Sequence, residues 1–260
     1  KEAQDRVRTA LKNNGIALPP KRITVNLAPA DIRKEGAGFD LPLAAAVLAA
    51  AGVLAAEQLG NVMMAGEIGL NGEIHAVSGI LPMIIRAREE KCRFCVVPYD
   101  NLKEAHLIPD MKVIGVSNLQ EMIRYVSVPD SYKKPVETGK KFSQENPADF
   151  CEIHGQESLK RAVEIAVSGF HNLLMIGPPG AGKTLIARRI TGIMPELTVE
   201  EGLELTKIYS IAGLLPAEDQ LMRIRPFRTP HHTSSAQALA GDGRNPSPGG
   251  IKLAHRGVMF

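Results

Sequence analysis

Eight consecutive residues carry the most direct chemistry in the chain. Gly177, Pro178, Pro179, Gly180, Ala181, Gly182, Lys183 and Thr184 satisfy the pattern G-x-x-x-x-G-K-[ST] at every fixed position. Glycines at these spacings let the backbone come close to a polyphosphate, where a Cβ would collide with it. Successive backbone N–H groups and the start of a following helix turn positive potential toward the anion. The pattern predicts that Lys183 reaches the β- and γ-phosphates and that the Thr184 hydroxyl binds Mg²⁺. Lys183 and Thr184 are therefore the candidate catalytic residues, with residues 177–184 and Leu185 as the phosphate-binding set.

Such a loop works only between a strand and a helix. Leu173, Leu174, Met175 and Ile176 form an apolar run just before it and predict a buried strand. Leu185 to Ile190 continues as an amphipathic helix.

Composition bounds the rest. The chain has 260 residues, which suits one large or two ordinary domains, and 44% of them are hydrophobic, enough for a sizeable core. Aromatics are 4% and Trp is absent, which argues against an aromatic platform for stacking single-stranded nucleic acid. The net charge of +3 permits nucleic-acid binding without demanding it. No stretch reads as a signal peptide. Leu41 to Ala56 is the most apolar, but it is shorter than the ~20 residues of a membrane span and contains Pro42 and Gly52. No membrane partner is expected, and the cytoplasm is the expected compartment. The three cysteines do not suggest a disulfide framework. Cys92 and Cys95 are read as lying in one strand with side chains on opposite faces, which disfavours zinc or redox chemistry. The chain begins with Lys1 and stops at Phe260 after an apolar strand, so a fragment of a longer protein is expected.

In chain order, the spacing predicts a helix to about Asn13, an alternating strand over Ile23 to Leu27 and a helix from an Asp40 N-cap to about Ala56. A strand over Asn61 to Ile68, an Asn71-Gly72 turn and a return strand over Glu73 to Val77 follow. A helix over Gly79 to Glu90 carries Ile80, Met83, Ile84 and Ala87 on one face. Strands over Phe94 to Val97 and Lys112 to Val116 flank a short helix, and Asn118 caps a last helix to Tyr125. The predicted organisation is an α/β domain over residues 1–128, a polar linker over 129–146 and a second α/β domain over 147–260. In the second domain, Gln156 to Ser168 and Leu197 to Tyr209 read as helices. Ala236 to Gly250 reads as a loop, and Gly257 to Phe260 as a strand.

The second domain resembles AAA+ ATPases of the magnesium-chelatase-like subgroup. The resemblance rests on Gly155-Gln156, GPPGAGKT at Gly177 to Thr184, PFRTPHHTSS at Pro226 to Ser235 and PSPGGIKLAHRGVMF at Pro246 to Phe260. It implies ATP and Mg²⁺ as cofactors. It also implies an Asp-Glu pair after HRGVMF, which would leave this stretch of chain binding nucleotide but hydrolysing it poorly. In such proteins the adenine passes near the positions of His154 and Gln156. Capping of the following helix is the other reading of these two residues. The first domain resembles the Lon protease domain. By that resemblance Leu43 stands at the nucleophilic Ser and Leu81 at the Lys base, and neither can support a Ser–Lys mechanism. Taken together, the two parts resemble the ComM/YifB family. That resemblance implies a ring-forming ATPase, a homo-hexamer acting as a motor on DNA. Alternatives are the ATPase subunit of a metal chelatase and a ring that regulates protein clients.

The segment RIRPFRTPHHTSS remains open at this stage. Arg223, Arg225 and Arg228 are candidates for phosphate contacts or members of an exposed basic loop. Adjacent His231 and His232 lack a convergent third metal ligand, so a family-specific loop is preferred to a metal site. Arg188 and Arg189 are read as exposed helix charges.

Overall fold

The computed structural model describes residues 2–18, 23–27, 36–135, 150–215, 221–241 and 247–260. The chain divides into two compact units, residues 1–137 and 138–260. Residues 136–149, which include most of the expected linker, lie outside the described residues, as do residues 216–220 and 242–246.

The first unit opens with α1 (Glu2–Asn13), whose Val7, Ala10 and Leu11 share one buried face at helical spacing. It stops where Gly15 turns left-handed at φ 73° and the Asn14 side chain donates to Ala10 O at 2.9 Å. Helix α2 (Asp40–Ala50) is shorter than the apolar stretch suggested. Gly52, at φ 77°, closes it by a Schellman turn in which Val53 N donates to Leu48 O at 2.9 Å. Asp40 is the first residue of α2 and not its cap. Its fully buried carboxylate turns to α1, taking Arg6 Nε at 3.0 Å and Nη2 at 3.3 Å.

The predicted strand over 61–68 is broken in two. Strand β1 (Val62–Met64) belongs to the main sheet, whereas β2 (Glu67–Ile68) forms a hairpin with β3 (Ile74–His75) across the Asn71-Gly72 turn. Helix α3 (Ile80–Glu89) buries Ile80, Leu81, Ile84 and Ala87; Met83 is 40% exposed, so the apolar face is rotated toward Leu81. Strand β4 (Phe94–Pro98), helix α4 (Leu102–Ala105), strand β5 (Val113–Val116) and helix α5 (Leu119–Ser127) follow. The sheet runs β1-β4-β5, parallel throughout, with Val62 opposite Phe94 and Cys95 opposite Val113.

All five residues of β4 are buried, as expected where helices cover both faces of a parallel sheet. Phe94 and Val96 face a core shared with α1, α2 and α5; Cys95 and Val97 face a core shared with α3 and α4. Asn118 caps α5, accepting from Glu121 N at 2.9 Å. Residues 129–135 remain with this unit: Tyr132 packs on the first core and meets Tyr125 edge-to-face at 5.2 Å.

Two further expectations fail in this unit. Residues 23–27 join no strand, and Ile23, Val25 and Leu27 are exposed. Alternation makes a strand only where a neighbour supplies ladder bonds, and none of the described residues does. Cys92 sits in the turn that closes α3, with Cys92 N donating to Ala87 O at 2.9 Å. From there it packs against the same core as Cys95, not the opposite face. Burial pushes the Cys95 thiol up to about 12.

The second unit contains α6 (Glu157–Ser168), α7 (Lys183–Ile193), α8 (Val199–Ile211), β6 (Phe227–Arg228), α9 (Ala236–Ala240), α10 (Gly250–Leu253) and β7 (Val258–Met259). A small core of Phe150, Ile153, Val163 and Ile186 joins α6 to α7. Thr198 and Glu201 form a capping box on α8. Ser235 starts α9, in a region read as loop, and left-handed Gly241 ends it. Strands β6 and β7 pair in parallel. Contrary to expectation, residues 173–176 form no strand: Leu174 is 82% and Ile176 89% exposed, and no described segment pairs with them. No helix among the described residues is long and apolar enough to cross a membrane.

Candidate nucleotide-binding site

The loop over residues 177–182 is shaped by two left-handed glycines, Gly180 at φ 81° and Gly182 at φ 83°. Any other residue would be strained at either position. Gly182 is the residue from which α7 starts. The first N–H groups of α7 have no acceptor within the helix and open toward the loop. Lys183 curls back over the loop, its Nζ donating to Gly177 O at 2.9 Å and to Pro178 O at 2.8 Å. Pro178 and Pro179 have no N–H to offer and stiffen the loop's first half. Thr184 and Leu185, the first residues after Lys183, are exposed. A Cβ at Gly177 would meet only the Ala181 Cβ, at an ordinary 3.6 Å, so no chain atom excludes a side chain there.

Residues 150–156 reach the loop from the other side. Gly155 and Gln156 are both left-handed, at φ 69° and 61°, which swings the chain into α6. Gln156 precedes α6 but makes no capping bond; its Nε2 donates to Ala181 O at 3.4 Å. His154 is exposed. Arg189, read as an exposed charge, instead ties α7 to this segment, with Nη2 2.5 Å from Glu152 Oε2. Arg188 is exposed as expected. The Glu152–Arg189 tie spans 37 residues and has no local sequence signal; the apolar spacing of Phe150 and Ile153 is its one indirect trace. The structure thus brings Gln156, the 177–182 loop and Lys183 together, with Thr184 and Leu185 at the same helix start.

The basic segment divides. Arg225, 5% exposed, is an internal tie and is not available for phosphates. It donates to Pro195 O and Arg256 O, each at 2.6 Å, and to Glu196 O at 3.4 Å. Arg228 donates to the Tyr209 hydroxyl at 3.2 Å and lies over its ring, whereas Arg223 is exposed. Arg256, itself left-handed at φ 58°, bridges Glu201 and Glu204 of α8. Its guanidinium and the His255 ring beside Glu204 hold that carboxyl below its ordinary range. Gly257 follows, and β7 runs on beside α7. No group of His, Cys, Asp or Glu suited to a metal ion occurs among the described residues.

The residues around the loop suit a bound nucleoside triphosphate with Mg²⁺: free helix N–H groups, an ammonium that can leave two carbonyls, and an exposed hydroxyl at the helix start. Fold and loop define an α/β protein with a P-loop of the AAA+ kind. A model of the family described as magnesium chelatase, subunit ChlI, matches residues 149–260, and one described as subunit ChlI of Mg-chelatase matches residues 1–101. The chain is 41% identical over 268 residues to competence protein ComM of Haemophilus influenzae, covering 100% of this chain and 52% of that protein. It is 42% identical over 260 residues to the protein YifB of Escherichia coli, covering 100% of this chain and 51% of that one. Lon protease 2 of Bacillus subtilis is 28% identical over 138 residues, 52% of this chain and 24% of that protein. The chain belongs to the ComM/YifB family of magnesium-chelatase-like AAA+ proteins, with a Lon-like part and an AAA+ part. It spans about half the length of the curated relatives it matches.

Proposed function

We propose that the protein is an ATP-driven ring motor acting on DNA. On this reading residues 1–128 are a Lon-like domain without protease chemistry and residues 147–260 the nucleotide-binding start of the AAA+ module. The observation that carries it is the loop geometry: Lys183 poised on Gly177 O and Pro178 O, beside the free amides of α7. Bound ATP with Mg²⁺ supplies the phosphoryl group and the metal that neutralises charge on it. Lys183 would hold phosphate oxygens in place of its two carbonyl partners, and Thr184 would hold the metal through its hydroxyl. The α7 amides and those of Gly180 to Gly182 would orient the phosphates, and Gln156, on Ala181 O, would line the base side.

The protease reading is disfavoured by chemistry and placement. Leu43 packs with the first core of unit one, whereas Leu81 is fully buried in the second. A hydrocarbon at either position neither attacks a carbonyl nor moves a proton. The likeness to a protein named for competence supports DNA as the substrate, in recombination or transformation; assembly as a hexamer in the cytoplasm is part of the same proposal. The match to chelatase-subunit models favours a second reading, a motor for metal insertion, which the Lon-like part weighs against.

The test is ATP hydrolysis by the whole protein with and without forked DNA, with Lys183→Ala as control. Stimulation by DNA that Lys183→Ala abolishes supports the motor. Hydrolysis indifferent to every DNA structure sinks it, and stimulation that appears only with a chelatase partner supports the second reading.

A further inference from the structure

A cavity of about 320 Å³ lies in the second unit, away from the phosphate loop in sequence. Its walls are Phe227 and Arg228 of β6, the following Thr229 and Pro230, Ser234, Leu239 of α9 and Leu253 of α10. Among the described residues no carboxylate lines it, and Arg228 is the one charged residue. The guanidinium is pre-oriented: it lies over the Tyr209 ring, 5.5 Å from the centroid, and donates to the Tyr209 hydroxyl. That hydroxyl in turn donates to Leu253 O at 2.9 Å. One of the five guanidinium N–H donors is used in this way.

A second set of donors stands beside the cavity. Ser234 N donates to His231 O at 2.8 Å, closing a turn over residues 231–234. His231 Nδ1 accepts from Thr233 N at 3.3 Å and contacts Thr233 Oγ1 at 2.6 Å. With Nδ1 accepting, the neutral ring carries its proton on Nε2 and presents it outward. The His232 ring lies against it, centroids 4.2 Å apart, both rings are exposed, and His232 makes no hydrogen bond among the described residues.

The remaining Arg228 N–H groups and His231 Nε2, with no acceptor among the described residues, favour an anion, and the apolar walls from Leu239 and Leu253 suit the hydrocarbon face of a sugar. We propose that the cavity and the His231–Ser234 turn take one sugar–phosphate unit of a DNA strand. Arg228 and His231 Nε2 hold the phosphate, and the base stays outside. Contact of this kind reads the backbone and not the sequence, in keeping with a chain poor in aromatics. The inference rests on the DNA reading above and adds where the strand is held.

The test is the affinity of the whole protein for a fluorescein-labelled oligothymidylate, measured by anisotropy across a salt series. Arg228→Ala risks the Tyr209 contact, so the principal variant is His231→Ala with His232→Ala, on exposed side chains. A second variant, Leu239→Trp, fills the cavity without removing a donor. The expected result is about tenfold weaker binding for each, with the salt slope of the histidine variant unchanged, because a neutral imidazole donor displaces no counterion. Wild-type affinity in both variants overturns the inference and leaves the DNA reading standing. No binding by the wild type removes the DNA reading and the inference together. Displacement of the oligonucleotide by inorganic phosphate, at an ionic strength where chloride leaves it bound, would assign the site to the free anion and overturn the strand proposal.

Discussion

Phe94–Pro98 and Leu173–Ile176 are the two runs of the chain that look most like buried strands, and they end in opposite environments. The first is the middle strand of a parallel sheet, hydrogen-bonded on both sides and covered on both faces. The second has no ladder partner among the described residues, and Leu174 and Ile176 are almost fully open. An apolar run therefore reports a capacity for burial; whether it is used depends on neighbours that the run does not encode. The units that carry them differ in the same way. The first is held by two apolar cores around one sheet, the second by a small core and a set of long-range charge ties.

The largest effects should come from buried charges, one in each unit. Arg6→Ala leaves the buried Asp40 carboxylate without its charged partner, keeping, among the described residues, only Ile68 N at 3.4 Å, and should cost about 3–5 kcal/mol of stability. Arg225→Ala strands the carbonyls of Pro195, Glu196 and Arg256 and should cost about 3 kcal/mol. Urea unfolding measures both, and amide exchange by segment shows which unit loosens. A negligible loss for Arg225→Ala would mean that charge ties do not hold the second unit together.

These two ties also mark the limit of what the sequence discloses. Elements with local signals are legible: the Asn118 cap, the Thr198–Glu201 box, the Asn71-Gly72 turn, and the phosphate loop with its two left-handed glycines. Asp40 with Arg6, Arg225 with Pro195 and Glu152 with Arg189 are 34, 30 and 37 residues apart, and periodicity carries no information at that range. Read locally, Asp40, Arg225 and Arg189 suggest a cap, a phosphate contact and a surface charge. Resemblance alone points to Gln156 near the loop, since only the turn at Gly155-Gln156 brings it to Ala181.

A smaller effect is expected at the turn before β7. A Cβ on Gly257 would run into Pro226 O, so Gly257→Ala must push β6 and β7 apart, at a cost of about 2 kcal/mol by thermal unfolding. Leu174→Ser sharpens the comparison most directly. In the chain of 260 residues it should change stability by less than about 0.5 kcal/mol, because the side chain is already open. A loss several times larger would show that another segment covers the run.

The smallest effect is a pH dependence. Arg256 and His255 lower the Glu204 pKa, so their stabilising contribution is complete above the unfolded carboxyl's value, near 4.5. It is lost as pH falls through the lower, folded value. The difference in melting temperature between wild type and Glu204→Gln should therefore be present at neutral pH and shrink on acidification. A constant difference would show that the carboxylate's charge is not what Arg256 and His255 recognise.

The three cysteines have a practical consequence. Cys95 is sealed in the core with its thiol held neutral, Cys92 is half-buried against the same core, and Cys151 is exposed. Thiolate character and access govern alkylation. A maleimide dye added to the folded chain of 260 residues should therefore attach at Cys151, one residue from the Glu152 tie to α7, ahead of Cys92 and Cys95. A fluorophore at that position would test the proposed nucleotide site: a change in its emission when ATP is mixed in, lost in Lys183→Ala, is the expected outcome.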